Sequence, residues 1–556
     1  MSKRLAVKLA MAQISTDPGN ISNNTQKIIH YVEKAKKEGA EIIIFPELAI
    51  PGYMSLDLML HQKFVAENLE ALQNITKHTK NILAVVGFID QDKGKIGPDG
   101  TPVRYNSAAI IRDQKIIAVQ DKTLLPNYDV FFENRYFAEG RGQKLISFQG
   151  VKLGVQICED LWDENYPIKV SENLVKQGAD ILINISGSPF YIGKRFDRER
   201  LIEKVSKNYH LPFIYVNTIG AQDGYDGELI FDGQSMVFNK LGELVYLGSQ
   251  FKEELFYINT NDLAGAGKKL RLPEYNPAGE LYRGLTFAIK EYFRRTNFTK
   301  AFIGLSGGID SAVVAVLATQ ALGKGNVTGV YMPSPFSSKD SLNDSLGLAK
   351  KLGINLEIIS IENLYGIFLD TLKEQFNKLP FDTAEENIQA RIRGIILMAH
   401  ANKFKGLVIS TANKTETALG YTTLYGDMCG AIAPLADVSK LKVYELANFI
   451  NSQRKTLIPE EIINKIPTAE LKANQTDEGS LGAKYGVISP LVDEIVEEMK
   501  TAKELTKKYP RELVNRILNL INQNEYKRRQ ACPGIKVTKK AFGVGRRIPI
   551  AHQFKN

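Results

Sequence analysis

The segment AFIGLSGGIDSAVVAVLA, residues 301–318, constrains this chain more than any other. A short apolar strand runs into a Ser-Gly-Gly turn and then into an apolar helix, the α/β pattern of a buried strand. A strand that ends in glycines and turns into a helix aims bare backbone N–H groups and a helix N-terminus at one point, which cradles phosphate. The common cradle, G-x-x-x-x-G-K-[ST], carries a lysine that reaches the β- and γ-phosphates. Here Gly307 and Gly308 are followed by Ile309, Asp310 and Ser311, with no lysine. A loop of that kind suits holding pyrophosphate as a leaving group rather than transferring the γ-phosphoryl group. The hydroxyls of Ser306 and Ser311 and the Gly307–Gly308 N–H groups are donors for the phosphate oxygens. Asp310 adds a carboxylate of the kind that holds Mg²⁺ beside phosphate.

The chain has 556 residues, too many for one core, which predicts two to four domains. Upstream of the loop, the strings EIIIFPE, ILAVVGFI, VKLGVQIC, DILINIS and FIYVNTI read as buried strands, with helices over 22–38 and 168–177 between some of them. Residues 263–280 are rich in Gly, Pro and charge and read as a linker. From 281 a second α/β pattern begins, with strands in KAFIGLS, NVTGVYM and GLVIS, and the C-terminal quarter is mostly helical. The expected division is 1–262, a linker 263–280, and 281–556. Neither an internal repeat nor a low-complexity tract interrupts it.

Three cysteines, Cys158, Cys429 and Cys532, are odd in number and far apart, which excludes a disulfide framework and a structural zinc site and fits a cytoplasmic setting. The start, MSKRLAVKLAMAQ, mimics a signal peptide, but Lys8 interrupts an apolar run that is already too short; a first buried strand is expected instead. No stretch approaches a transmembrane helix in length, so no membrane is expected. The net charge of +9 suggests nucleic acid only until it is located. Residues 526–556 hold nine Lys and Arg and no acid; without them 62 basic residues face 62 acidic ones. The excess is a tail, either solvated or closing over an anionic ligand, and nucleic acid is not expected as a partner.

Three further stretches bear on the glycine loop. ENIQARIRGIILMAHAN places Asn387 and Arg391 four apart on one helix face. VISTANKTETALGYTTLYGDMCG follows a strand, so Thr411 and Glu416 fall at its carboxyl end, where open α/β sheets bind ligands. EYKRRQACPG supplies Lys527. The S-G-G-x-D-S loop resembles the ATP-pyrophosphatase loop of enzymes that adenylate a substrate. Together, over 281–550, the stretches resemble the NAD synthetase family, whose substrate is deamido-NAD. The resemblance implies a Rossmann-like ATP-pyrophosphatase domain in which Gly304, Leu305, Ser306, Gly307, Gly308, Ile309, Asp310 and Ser311 bind ATP, with Thr411, Lys440 and Thr468 also at the nucleotide. It implies that Asp310 and Glu416 hold Mg²⁺, and that Asn387, Arg391, Glu416 and Lys527 contact deamido-NAD. The chain departs from the small ammonia-using members, which carry a lysine and an aspartate where Leu424 and Ala431 stand here.

Amidation needs NH₃, and near neutral pH almost all ammonia is NH₄⁺, which has no lone pair. The first half contains the parts of a generator. FPELAIPGY places Glu47 at the end of a buried strand, DKTLLPNYDVFFENRYF places Lys122 before a proline turn, and GVQICEDLW places Cys158 at another strand end. In this order they resemble the nitrilase/amidase family and imply its αββα sandwich, with Cys158 as nucleophile, Glu47 as general base and acid, and Lys122 at the oxyanion. Glu133 is either an orienting partner of Lys122 or a solvated surface glutamate. The family's glutamine contacts fall on Tyr128, Ser188 and Lys194.

A nitrilase-type unit followed by a synthetase unit is the layout of the glutamine-dependent members of the NAD synthetase family. It implies an enzyme that uses glutamine, ATP and deamido-NAD, passes ammonia from one unit to the other, and forms homo-oligomers. Two alternatives keep the loop but change the acceptor: amide transfer to another carboxylate or carbonyl, and a tRNA-modifying ATP pyrophosphatase. Nothing in the chain resembles a C-x-x-C pair or an RNA-binding module.

Overall fold

A computed structural model describes residues 6–265, 270, 272–377, 379–453 and 456–554 of the chain. Met1–Leu5, part of the expected linker and Lys555 lie outside the described residues. The chain divides into two units, residues 1–222 with 230–275, and residues 223–229 with 276–556.

The first unit is built on two six-stranded sheets. One runs in the order Glu254–Asn259, Lys8–Gln13, Ile42–Ile44, Leu83–Ile96, Pro102–Arg112 and Lys115–Asp121; the other runs Leu244–Leu247, Met236–Phe238, Phe213–Asn217, Ile181–Ser186, Val151–Ile157 and Leu145–Phe148. The first strand expected near the start of the chain is Lys8–Gln13. Every second residue of these strands points into a shared core: Leu9, Met11, Ile42, Ile44, Leu83 and Val85 from one sheet, and Leu153, Val155, Ile157, Ile181, Ile183 and Ile185 from the other. This is the period-two consequence of a pleated strand. Each such side chain is worth about 1.5–3 kcal/mol of burial, which pins the register and with it the strand ends. The outer face of the second sheet is buried by the helices Val170–Lys176 and Lys194–Tyr209, through Val170, Leu174, Leu201 and Ile202. The helices Ile21–Lys37 and Gln62–Thr76 bury Ile28, Val32, Leu72 and Ile75. The strands Val151–Ile157, Ile181–Ser186 and Phe213–Asn217 are parallel, so their carboxyl ends lie side by side.

The second unit holds a parallel sheet in the order Asn355–Ile358, Val327–Tyr331, Ala301–Gly304, Leu407–Val408. The chain adds strands outward on one side of Ala301–Gly304 and then crosses to the other. Between Ala301–Gly304 and Leu407–Val408 the order reverses, and that is where open α/β sheets leave a crevice for ligands. The helix Ile309–Leu322 is buried along nearly its whole length, from Ile309 to Ala318, which is why its sequence is apolar on all sides. The helical C-terminal region has its own core, including Leu491, Val492, Val514 and Ile517. Gly227–Leu229 pairs in parallel with Gly534–Lys536 in this unit. Among the described residues no helix is long and apolar enough to cross a membrane.

Candidate active sites

In the first unit, three strand ends deliver three reactive side chains to one buried place. Glu47 follows Ile42–Ile44, Lys122 follows Lys115–Asp121, and Cys158 follows Val151–Ile157 directly. Lys122 is buried, and its Nζ donates to Glu47 Oε1 and to Glu133 Oε1, each at 2.7 Å. Glu133 is therefore a buried partner of Lys122, not a surface residue. Glu47 is fixed from three sides: Asn106 Nδ2 also donates to its Oε1, and the Gly187 backbone N–H donates to its Oε2, both at 2.7 Å. The Tyr53 hydroxyl donates to Glu133 Oε1 at 3.0 Å. A Cβ on Gly187 would stand 2.4 Å from the Tyr53 ring, so only glycine lets that N–H reach Glu47.

Cys158 is buried and has φ of 43°, a left-handed conformation that is strained for a residue with a Cβ. The strain is fixed in place by Asp160, whose Oδ2 accepts the Ile157 N–H at 2.9 Å. Its Oδ1 accepts the N–H groups of Thr123 and Leu124 at 3.0 and 2.9 Å. One carboxylate thus ties the turn of Cys158 to the loop of Lys122.

The electrostatics assign protonation states. Burial pushes the Cys158 thiol well above its usual range, Glu47 adds to the shift, and Lys122 opposes it. For Lys122 burial works against the charge, but Glu133 and Glu47 outweigh it and hold the ammonium well above the ordinary range. Burial also lifts Glu133, to about 7, against the pull of Lys122. The resting thiol is neutral beside a permanent cation, so attack requires proton transfer to a base as the S–C bond forms.

The three residues expected at glutamine sit around this centre in different settings. Tyr128 is 51% exposed, and its hydroxyl donates to Glu159 Oε1 at 2.9 Å. Tyr166 donates to the same oxygen at 3.0 Å. Ser188 is buried, with its N–H donating to Asn217 Oδ1 at 2.9 Å and its carbonyl accepting from Arg198. The Lys194 ammonium lies 3.7 Å from the centroid of the Trp162 ring. Tyr53, Asn106, Asp160 and Glu159 join this group beyond the residues expected from the sequence. Tyr53 and Glu159 lie inside the strings that carry Glu47 and Cys158; Asn106 offered a signal as a polar residue in an apolar strand.

In the second unit a cavity of 260 Å³ opens at the strand-order reversal. It is lined by all of Gly304–Ser311 and by Thr411, Glu416, Lys440 and Thr468. Ser311 Oγ lies 3.2 Å from Ser306 Oγ and donates to the Gly308 carbonyl at 3.0 Å. Gly307 has φ of 73°, and a Cβ there would stand 2.7 Å from the backbone of Ser341. Glycine is thus required by both conformation and space. Asp310 Oδ1 accepts from Asn413 Nδ2 at 3.0 Å, and Oδ2 pairs with Lys440 Nζ at 2.5 Å. The same ammonium lies 3.3 Å from Glu416 Oε1. Burial lifts Glu416 to about 8, with Lys440 opposing.

Two carboxylates that converge on one cationic point supply the hard oxygen ligands that Mg²⁺ takes. Among the described residues no group of three or more His, Cys, Asp and Glu is arranged to hold a metal, so a cation here needs phosphate or water oxygens to complete its shell. Asn387, Arg391 and Lys527 are not among the residues lining the cavity. They meet instead at the loop that follows the Glu416 helix. Asn387 Oδ1 accepts from Thr423 Oγ1 at 2.7 Å, Arg391 Nε donates to the Leu424 carbonyl at 3.2 Å, and Lys527 Nζ donates to the carbonyls of Gly420 and Thr422 at 2.8 and 2.9 Å.

The family model for NAD synthase matches residues 281–531, and that for carbon-nitrogen hydrolase matches residues 8–269. The glutamine-dependent NAD(+) synthetase of Synechocystis sp. is 40% identical, across 98% of this chain and 99% of its own. That of Thermotoga maritima is also 40% identical, across 100% and 99%. Among solved structures, the glutamine-dependent NAD+ synthetase from Acinetobacter baumannii in complex with ADP superposes with a TM-score of 0.77 at 36% identity, covering 98% of each chain.

Proposed function

Because the chain belongs to the glutamine-dependent NAD(+) synthetase family, we propose that it amidates deamido-NAD to NAD⁺ with ATP and with ammonia cut from glutamine. In the first unit, Cys158 Sγ attacks the side-chain amide carbon of glutamine while Glu47 takes the thiol proton. The Lys122 ammonium, fixed between Glu47 and Glu133, stabilises the oxyanion of the tetrahedral intermediate. Collapse returns the proton from Glu47 to the leaving nitrogen and releases NH₃. Water, deprotonated by Glu47, then hydrolyses the thioester to glutamate. Tyr128, Ser188 and Lys194 bind glutamine, with Lys194 at its α-carboxylate.

In the second unit, Gly304–Ser311 holds the ATP phosphates, with Thr411, Lys440 and Thr468 also at the nucleotide. Asn387, Arg391, Glu416 and Lys527 bind deamido-NAD. The nicotinate carboxylate attacks the α-phosphorus, and pyrophosphate leaves. Ammonia then adds to the acyl adenylate and displaces AMP, losing one proton. Asp310 and Glu416 are the residues to hold Mg²⁺, which when bound offsets the charge of the phosphates.

What carries the reading is one chain with both a buried Cys–Glu–Lys centre and a lysine-free glycine loop at a sheet reversal. Full-length likeness to NAD(+) synthetases disfavours another acceptor or a tRNA substrate. The test is product analysis: purified protein with glutamine, ATP and deamido-NAD should release NAD⁺, AMP and pyrophosphate in equal amounts. ADP in place of AMP would overturn the α–β cleavage.

A homo-oligomer is part of the same proposal. The helices Glu362–Phe376 and Thr383–Phe404 pack against each other and expose Leu364, Ile367, Phe368, Ile395, Met398 and Phe404, with Ile367 62% exposed. So many large apolar side chains on two adjoining helices mark an association face, and a second copy of the chain is its occupant. Sedimentation should give two or more chains for the wild type. Ile367→Glu with Ile395→Glu should shift the distribution towards one chain; a wild-type monomer would refute it.

A further inference from the structure

The helix Lys414–Leu419 has only six residues, too few to be stable on its own, yet it carries Glu416 and begins beside Asn413, the partner of Asp310. Its last carbonyls would be orphans. Residues from the C-terminal part of the chain take them. Asn524 Nδ2 donates to Leu419 O at 3.0 Å, Arg528 Nη1 donates to Thr417 O and Ala418 O at 3.2 and 2.9 Å, and Lys527 takes Gly420 O.

The first turn of the helix is linked to the C-terminal segment through Asp437 and by Lys414 Nζ, which lies 3.5 Å from Thr538 Oγ1. Lys414 is completely buried and does not line the nucleotide cavity. Its Nζ lies 2.8 Å from Glu497, 3.2 Å from Asp437 and 3.5 Å from Asp493. Asp437 in turn accepts the N–H groups of Val537 and Thr538 at 2.8 Å and the Thr538 hydroxyl at 2.7 Å. Burial opposes the Lys414 charge, but Asp437, Glu497 and Asp493 hold it above the ordinary lysine range. Part of the basic tail is therefore not solvated charge: Lys527 and Arg528 hold one end of this short helix directly, and Val537 and Thr538 reach the other end through Asp437, while Arg529, Lys539 and Arg547 are exposed.

We propose that the C-terminal segment 524–538 is a positioning element for amidation, setting Glu416 against Asp310 and Lys440 through Lys414 and Asp437 at one end of the helix and Asn524 and Arg528 at the other. The proposal rests on the reading of Asp310 and Glu416 as part of the ATP site. Lys414, Asp437 and Thr538 act through Glu416 and touch no substrate.

The test uses the full-length enzyme with ammonium chloride as nitrogen source. Rates are normalised to the number of sites that bind a non-hydrolysable ATP analogue, counted by calorimetry. Lys414→Met should lower kcat per binding site about 30-fold, with Lys414→Arg recovering most of it. Thr538→Val, which keeps the shape but removes the hydroxyl that donates to Asp437 and accepts from Lys414, should lower it about 3- to 10-fold. In both the amides of 413–420 should exchange hydrogen faster than in the wild type. A purely structural role would reduce the number of binding sites and leave kcat per site unchanged, and that result would overturn the proposal. If Lys414→Met fails to fold, Thr538→Val decides alone, and an unchanged kcat and exchange pattern there refutes it. A wild type that forms no NAD⁺ from deamido-NAD and ATP with either glutamine or ammonium would overturn the functional reading, and this proposal with it.

Discussion

Replacing Cys158 by alanine should lower NAD⁺ formation from glutamine by about 10³-fold or more, the scale expected when a covalent nucleophile is lost, and leave formation from ammonium salts close to wild type. The reason is the division of chemistry. Around Cys158 the acid–base group and the cation are both held by others: Glu47 by Asn106 and Gly187, and Lys122 by Glu47 and Glu133. Alanine leaves that frame standing but removes the only atom there that can form a thioester. The fold should survive, because alanine accepts φ of 43° at no greater cost than cysteine and the missing sulfur leaves a small cavity worth about 1 kcal/mol, well below the stability of an ordinary domain. The ammonium-driven rate should rise with pH, since only NH₃ is the nucleophile. Continuous assay of NAD⁺ with each nitrogen source separates the outcomes. Loss with both sources would mean that the two centres do not act separately.

Much of the fold was legible because its strands are buried on both faces and read as apolar strings, and because the helix expected at 22–38, found at Ile21–Lys37, has an amphipathic spacing. Glu47 and Cys158 stood out because each comes where a buried apolar string ends, and Lys122 because it precedes a proline turn. Their supports were hidden for a physical reason. Asn106 is a polar residue in a buried strand, and its hydrogen bond crosses 59 positions to Glu47. Asp160 reaches back 37 positions to Thr123, and no local spacing encodes such a contact. Glu133 was ambiguous because sequence does not say whether a carboxylate near a proline turn faces solvent; its burial beside Lys122 and Tyr53 comes from packing. The tail was harder still. Nine cations without an acid read as either solvated charge or a cover for an anionic ligand, yet the partners of Arg528 include backbone carbonyls more than a hundred positions away, and carbonyls carry no signature in composition.

The second large effect concerns Asp310. Asp310→Ala should lower amidation about 10³-fold with glutamine and with ammonium alike, while part of the basal glutamate release persists. Asp310 lies in the first turn of the helix that follows the glycine loop and lines a cavity in which Lys440 balances two carboxylates. Without it, Lys440 loses its shorter ion pair and keeps the one to Glu416 at 3.3 Å, the wall gains a positive charge, and one of the two oxygen ligands suited to a cation is gone. Asp310→Asn separates charge from shape. The amide keeps the hydrogen bond from Asn413 through its oxygen but cannot pair with Lys440, so nearly the same loss is expected if the negative charge is what the site uses. The check is the release of AMP and pyrophosphate under both nitrogen sources, beside a glutamate assay on the same sample. If Asp310→Asn kept amidation within about tenfold of wild type, the carboxylate would be a structural cap and the nucleotide would have to be held by the glycine loop alone.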